Sequence, residues 1–319
     1  MGKLKLALYW AASCGGCDVA VLDTNEHILD IAAVADIVFW PVALDFKYAD
    51  VEAMPPQNID VCLFNGAIRN SENEHIAKML REKSKVLVAF GSCAVSGGIP
   101  ALGNFSDKNS ILRRVYIETP STENPEGLIP KTSWEVLGNE ITLPEFYNRV
   151  RSLDQVVEVD YYLPGCPPVP SRIWEVVQAI VAGSLPPKGS VVGVTNKSLC
   201  DECYRVKKEK KIKRFFRPHE IIPDPETCLL EQGLICMGPV TRGGCGAQCI
   251  NANMPCRGCY GPLPGVIDQG SKFLSTLGSV MDSQNKKEVA EIVDQIVDLA
   301  GTLYRFDMST ALLAGGKKE

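Results

Sequence analysis

The chain has 319 residues, 45% of them apolar, and a formal charge of −5, which allows one large or two ordinary domains with a full core. That charge excludes a global basic field for nucleic acid, and no apolar run reaches the ~18 residues of a transmembrane helix, so no membrane anchor is expected. Thirteen cysteines stand against three histidines.

The N-terminus runs from Met1-Gly2-Lys3 straight into an apolar stretch. It shows no charged lead, apolar h-region or twin arginine, and Leu6 stands where a myristoylation site wants Ser or Thr. A cytoplasmic location is expected. Disulfides are disfavoured there, so many cysteines point to metal or redox chemistry.

Residues 4–10 (L-K-L-A-L-Y-W) read as the first strand and 18–34 as a helix. Residues 36–44 read as a second strand, with Pro41 favouring an edge or an early end. Residues 60–67 (D-V-C-L-F-N-G-A) read as a third strand. Residues 72–83 form an amphipathic helix with Ile76, Met79 and Leu80 on one face. Residues 85–90 are a fourth strand and 156–163 a fifth, followed by a helix over 171–182 with Ser171 as N-cap. This alternation predicts an α/β fold, a parallel sheet with helices on both faces.

Residues 97–155 break the rhythm with Gly, Pro and polar residues; an insertion this long is read as functional, a contact for a partner. At Leu185-Pro186-Pro187 the composition shifts. The expected domains are therefore 1–187, holding the sheet, and 188–319, smaller and irregular. Eight of the thirteen cysteines fall between Cys200 and Cys259, as a segment poor in core residues needs staples. A helix is expected over 286–306, with Val289, Ile292, Val293, Ile296, Ala300 and Leu303 at helical spacing. Residues 315–319 read as a frayed tail.

The cysteines fall into groups. Cys14 and Cys17 (C-G-G-C), Cys93 (F-G-S-C) and Cys166 (L-P-G-C-P-P) each lie just past a predicted strand end. In a parallel sheet those ends share one edge, where ligands gather. Four thiolates there suit a zinc ion or a four-iron cluster. Separate buried thiols would require four coincidences. The second group is Cys200, Cys203, Cys228 and Cys236; the third is Cys245, Cys249, Cys256 and Cys259. Their paired C-x2-C units fit zinc ribbons and ferredoxins alike. Cys62, mid-strand in V-C-L-F, reads as a small buried hydrophobe. Residues 205–217 carry eight Lys or Arg against one Glu. The run reads as a solvated loop or as a docking surface for an acidic redox partner.

The motifs C-G-G-C, G-S-C at 91–93, P-G-C-P-P at 164–168, C-L-L-E-Q-G-L-I-C-M-G-P at 228–239 and M-P-C-R-G-C at 254–259 resemble the small, electron-transferring subunit of nickel–iron hydrogenases. The resemblance spans nearly the whole chain. It is most similar to the cytosolic methyl-viologen-reducing type of methanogens, which works with heterodisulfide reductase. It implies a flavodoxin-like N-terminal domain and three 4Fe-4S clusters. The proximal ligands would be Cys14, Cys17, Cys93 and Cys166, the distal ones Cys200, Cys203, Cys228 and Cys236, and the medial ones Cys245, Cys249, Cys256 and Cys259. Cys200 stands where many members carry a histidine. Four medial thiolates stand where some members place a proline, and the spacing around Cys249 departs from the familiar pattern.

The resemblance implies two partners. One is a nickel–iron large subunit where hydrogen is split. The other is a downstream acceptor, an iron–sulfur or flavin protein of a heterodisulfide reductase complex. No residue here is expected to act as acid or base. The rivals are a complex-I-like or ferredoxin-like electron-transfer subunit, and a zinc-stabilised interaction protein.

Overall fold

The computed structural model describes residues 2–208, 211–283 and 285–314. The chain opens with β1 (Leu4–Trp10), α1 (Gly16–Leu22), α2 (His27–Val34), β2 (Ala35–Phe39) and α3 (Tyr48–Glu52). It continues through β3 (Ile59–Asn65), β4 (Ile68–Asn70), α4 (Ser71–Lys83), β5 (Ser84–Phe90) and α5 (Ser92–Ser96). After α6 (Lys108–Arg113) come β6 (Ser133–Val136), β7 (Asn139–Thr142), β8 (Phe146–Arg151), β9 (Tyr161–Leu163) and α7 (Pro170–Val181).

Five strands pair in the order β2-β1-β3-β5-β9, and every pairing is parallel. Renumbered along the sheet this is the 2-1-3-4-5 order of flavodoxin-like folds, whose ligands bind at the carboxyl ends of the strands. The central strands are apolar on both faces because both are covered. Ala7, Tyr9, Cys62, Phe64, Leu87 and Ala89 pack with Ile76 and Leu80 of α4 on one side. Leu8, Leu63, Val88 and Phe90 pack with Val21 of α1 and Ile173 and Val176 of α7 on the other. Cys62 is fully buried, in register with Ala7 and Leu87; its thiol is pushed up to about 12, first by burial.

Local chemistry explains where elements start and stop. The helix expected over 18–34 is two helices. Thr24 Oγ1 donates back to Val21 O at 2.7 Å, and Asn25 adopts a φ of 54°. Such residues offer the backbone an alternative to the helical ladder. β2 ends at Phe39, before Pro41 can remove a ladder donor. The fifth strand is shorter than expected: Leu153–Gln155 form a 3-10 turn and pairing begins only at Tyr161. α7 is capped by Val169 rather than Ser171, with Pro170 at its first position, where a missing N–H costs nothing. α4 matches its expected extent within one residue; Asn70 Oδ1 caps it by accepting from Asn73 N at 2.8 Å.

The stretch 97–155 has more structure than its composition suggests. It contains a 3-10 helix (Ile99–Phe105), α6, the β6–β7 hairpin and β8, which pairs antiparallel with β4. Both hairpin strands are exposed at every residue.

Beyond residue 188 lie α8 (Gln248–Asn251), α9 (Gln269–Val280), α10 (Lys286–Val293) and α11 (Leu299–Leu303). The single helix expected over 286–306 is interrupted: Asp298, at a φ of 51°, caps α11 by accepting from Gly301 N at 3.0 Å. Sequence reading missed α9 altogether, although Phe273, Leu277 and Val280 face the core. Its two glycines and three serines mask a weak helix former that packing stabilises. A core of Leu199, Ile212, Leu230, Met237, Ile250 and Phe273 reaches across to Ala67, Cys93 and Val150 of the sheet region. The tail at 315–319 lies outside the described residues.

Candidate metal centres

The first thiol group forms at the carboxyl edge of the sheet. Cys14 follows β1, Cys17 sits in the first turn of α1, Cys93 in α5 directly after β5, and Cys166 just past β9. Two backbone bonds hold the last two turns together: Gly91 N to Leu163 O and Ser92 N to Gly165 O, both 2.8 Å. Cys17 and Cys93 are buried, whereas Cys14 and Cys166 are exposed. Burial, then the neighbouring thiols Cys93, Cys166 and Cys14, holds Cys17 far above the usual thiol range. Burial, then Cys166 and Cys14, pushes Cys93 up to about 12.

The space beside these sulfurs is reserved by glycine. A Cβ on Gly91, at a φ of 84°, would lie 2.3 Å from Cys17 Sγ, and one on Gly98 2.5 Å from Cys93 Sγ. The group thus gathers four thiols whose ionised forms repel one another, and among the described residues no cationic side chain is among the main groups acting on Cys17 or Cys93. Thiolates in that arrangement call for a bound cation, which deprotonates its sulfur ligands.

The second group, Cys200, Cys203, Cys228 and Cys236, lines one cavity together with Arg205, Lys207, Leu229 and Ile250. Cys236 is pushed up to about 11 by burial, opposed by the N–H groups of Gly238 and Cys256 that point at its sulfur. Lys207 Nζ donates to Cys200 O at 2.6 Å. The basic run after Cys203 is not simply a solvated loop. Arg205 is buried, donating to Asp224 O, Thr227 O, Ile250 O and Asn253 Oδ1. Ile212 and Phe215 insert into the core. Lys207, Lys208, Lys213, Arg214 and Arg217 remain exposed.

In the third group, Cys245 receives N–H groups from Ala247 and Gln248, while burial raises its thiol. Cys259 is pushed up to about 12 by burial, with Cys245, Cys166 and Cys249 adding to it. Burial, then Cys236 and Cys259, raises Cys256. Cys249, at the start of α8, is exposed and acts on Cys245 and Cys259.

Three contacts join the groups. The Cys166 N–H points at Cys259 Sγ, and Ser92 Oγ donates to Cys259 O at 2.6 Å. The Cys256 N–H donates to Cys236 Sγ at 3.4 Å. The spatial order is therefore first, third, second, different from the order along the chain. Among the described residues no three Cys, His, Asp or Glu side chains close tightly enough to hold a single ion.

Sequence reading missed the residues that orient these thiols. Glu202, between Cys200 and Cys203, accepts from Gly244 N at 2.5 Å and Gly246 N at 3.0 Å and so fixes the turn bearing Cys245. Asp18, buried next to Cys17, accepts from Trp40 Nε1 at 2.9 Å and Asn65 Nδ2 at 2.6 Å. Adjacency to a cysteine was the only signal for either.

The family described as NADH ubiquinone oxidoreductase, 20 Kd subunit, matches residues 14–180. The iron-sulfur subunit of the F420-non-reducing hydrogenase of Archaeoglobus profundus is 44% identical over 316 residues, 97% of this chain and 98% of the relative. The chain belongs to the 20 Kd subunit family, in its hydrogenase small-subunit branch. The corresponding F420-non-reducing hydrogenase component of Methanothermobacter marburgensis is 38% identical across 98% of this chain and 96% of its own.

Among solved structures, a chain of an NAD+-reducing [NiFe]-hydrogenase is 28% identical. It covers 58% of this chain and 94% of its own at a TM-score of 0.50. The [NiFeSe] hydrogenase from Desulfovibrio vulgaris Hildenborough shares the fold at a TM-score of 0.52 and 16% identity, over 83% of this chain and 96% of its own. The chain is thus an oxidoreductase subunit of hydrogenase type, and membership implies iron–sulfur electron transfer. No helix among the described residues is long and apolar enough to cross a membrane.

Proposed function

We propose that this chain is the electron-relay subunit of a nickel–iron hydrogenase, carrying three 4Fe-4S clusters from a large subunit that oxidises hydrogen towards a separate acceptor. The observation that carries the reading is the pair of contacts, Cys166 to Cys259 and Cys256 to Cys236, that links twelve thiols into one sequence of three groups. Cys14, Cys17, Cys93 and Cys166 would hold the proximal cluster, Cys245, Cys249, Cys256 and Cys259 the medial one, and Cys200, Cys203, Cys228 and Cys236 the distal one. The all-thiol donor sets fit soft iron–sulfur ligation. Such clusters, when bound, accept and release single electrons.

The chain's own residues bury the inner thiols, aim N–H groups at Cys236, Cys245 and Cys259, and fix the turns through Ser92 and Glu202. Hydrogen bonds and burial are the levers by which a protein sets cluster potentials. Residues 1–187 and 188–319 serve as two domains, the first for the proximal site and the second for the other two.

The first group lies open at Cys14 and Cys166, and the 97–155 insertion leaves that region soon after Cys93. We read this end as facing the large subunit. Lys207 lines the cavity of the second group, and the exposed Lys208, Lys213, Arg214 and Arg217 follow it in the sequence. They suit an acidic iron–sulfur or flavin acceptor such as one of a heterodisulfide reductase complex, the system named with the methanogen type the motifs resemble.

Anaerobic purification with iron, zinc and acid-labile sulfide assays tests the reading. About twelve iron per chain, as three four-iron clusters require, supports it, together with co-purification of a nickel-containing subunit. Zinc without iron overturns it in favour of an interaction protein. Iron without a nickel subunit overturns the hydrogenase assignment in favour of a ferredoxin-like carrier.

A further inference from the structure

We propose that Arg205 is a positioning residue for the electron relay: its guanidinium clamps the second thiol group to the third and, as a positive charge with no direct counter-ion in the wall of the second, raises that group's reduction potential. The inference rests on the cluster reading above. Arg205 stands two residues after Cys203 and is 3% exposed. The backbone beside it is locked to the approach to Cys228. Val206 N donates to Glu226 O at 2.7 Å, and Cys228 N donates to Val206 O at 2.9 Å.

The side chain reaches in two directions. Nη1 donates to Asp224 O at 2.6 Å and Thr227 O at 3.0 Å, in the segment that leads into Cys228. Nη2 donates to Ile250 O at 3.4 Å and Asn253 Oδ1 at 2.5 Å, between Cys249 and Cys256. Asn253 completes the clamp by donating from Nδ2 to Pro223 O at 3.1 Å. The planar fork of a guanidinium can hold four acceptors in fixed directions, which an ammonium cannot.

All four acceptors are neutral oxygens, so they satisfy donors without cancelling the charge, and an arginine does not shed it. Asp224 is exposed, and its Oδ1 accepts instead from Glu226 N and Thr227 N, both at 2.8 Å. Nε is buried with no hydrogen-bond partner. A buried charge is costly unless an opposite charge answers it. Arg205 lines the same cavity as Cys200, Cys203, Cys228 and Cys236, so the answering charge is that of the second group's sulfurs. A thiolate-ligated cluster becomes more negative when it takes an electron, and a positive charge in its wall favours that state. Burial protects this field from screening by salt. Arg205 itself gains or loses neither a proton nor an electron.

The test uses the anaerobically purified complex. Iron is counted first, and the midpoints are then measured by potentiometric titration followed by electron paramagnetic resonance. Arg205→Gln is expected to shift the second group's oxidised-to-reduced ratio at fixed potential about tenfold towards oxidised, which is about 59 mV for one electron. Arg205→Lys, which keeps the charge and loses the fork, is expected to recover most of that shift, while both variants unfold at lower denaturant than the parent. Arg113→Gln, in the exposed pair with Glu118, is expected to leave the midpoints unchanged. Iron kept in Arg205→Lys and lost from Arg205→Gln also supports the inference, since the two differ in charge. An unchanged midpoint in iron-loaded Arg205→Gln overturns it, as does an equal shift in both variants. Loss of iron from both overturns it too, by assigning Arg205 a structural role alone, and parent-like unfolding of Arg205→Gln overturns the clamp. A parent chain without iron overturns the cluster reading itself before any variant is compared.

Discussion

The backbone N–H of Cys256 donates to Cys236 Sγ at 3.4 Å. A residue of the third thiol group thereby helps stabilise sulfur in the second, because a hydrogen bond to the charged form favours it. The reciprocal bond, Met237 N to Cys256 O at 3.0 Å, makes a two-way clasp. The second and third thiol groups are thus built as one unit and not as two independent fingers.

The grouping predicts how iron content responds to single changes. Cys17→Ala, Cys236→Ala and Cys256→Ala are each expected to lose about four of about twelve iron per chain, one cluster's worth. Cys62→Ala should lose none, since Cys62 is a buried sheet residue far from the strand ends, and should cost about 1 kcal/mol of stability. Iron analysis of folded protein checks both. Full iron retention in Cys236→Ala, or a loss in Cys62→Ala, would show the groups to be misassigned.

Ser92 joins the sheet edge to the third group. Its hydroxyl donates to Cys259 O at 2.6 Å and accepts from Gly165 N at 3.3 Å. Ser92→Ala leaves both groups without this partner in a buried place, at a cost of about 1–3 kcal/mol. Denaturant unfolding should show the loss, and Ser92→Thr should restore part of it. Equal stability of Ser92→Ala and the parent chain would mean that water replaces the hydroxyl.

How much of this was legible beforehand follows from which signals are local. β1 and the end of β5 announce themselves as apolar runs, so Cys14, Cys17 and Cys93 were placed at one edge from the sequence. Cys166 was placed correctly even though its strand is only three residues long, because the turn P-G-C-P-P fixes the end rather than the start. The spatial order of the three groups was not legible from spacing, since it depends on long-range contacts such as Cys166 with Cys259. The burial of Arg205 was hidden by seven basic neighbours in the run. Its four acceptors come from segments up to 48 residues away in sequence. The two-helix form of 18–34 turned on the side chain of Thr24, which a periodicity count ignores.

Asp160 predicts an acid limit. It is buried at 2% exposure and holds Arg81 at 2.6 Å, Lys188 at 2.5 Å and the Leu87 N–H at 2.8 Å. Burial alone would raise its carboxyl, but the bonds from Arg81, Lys188 and Leu87 outweigh it and hold it below the usual range. Its folded pKa is depressed, so its contribution is complete above the unfolded value near 3.9 and is lost as pH falls through the folded value. Asp160→Asn should cost about 3 kcal/mol at neutral pH, the low end for a buried pair because Lys188 is largely exposed. Unfolding curves from pH 7 to pH 3 should show the parent approaching the variant as pH drops. A difference that stays constant to pH 3 contradicts the assignment.

Asp307 carries the opposite sign. It is 5% exposed, and burial, then the charge of Asp268, pushes its carboxyl up to about 7. Asp268 stays committed to capping α9, accepting from Ser271 N at 2.7 Å and Leu312 N at 2.8 Å. Asp307 is therefore the member of the pair that takes the proton. Its folded pKa lies above the unfolded value near 3.9, so the native state binds the extra proton between those limits. Stability from this site is full near pH 4, falls as pH rises towards 7, and is level above that. Asp307→Asn removes the charge and keeps the shape. The variant should match the parent near pH 4 and exceed it by on the order of 4 kcal/mol at pH 8, at 1.36 kcal/mol per unit of pKa. Denaturant midpoints of both proteins across pH 4–8 decide it: curves that diverge as pH rises support a protonated Asp307, and parallel curves show that it is ionised throughout.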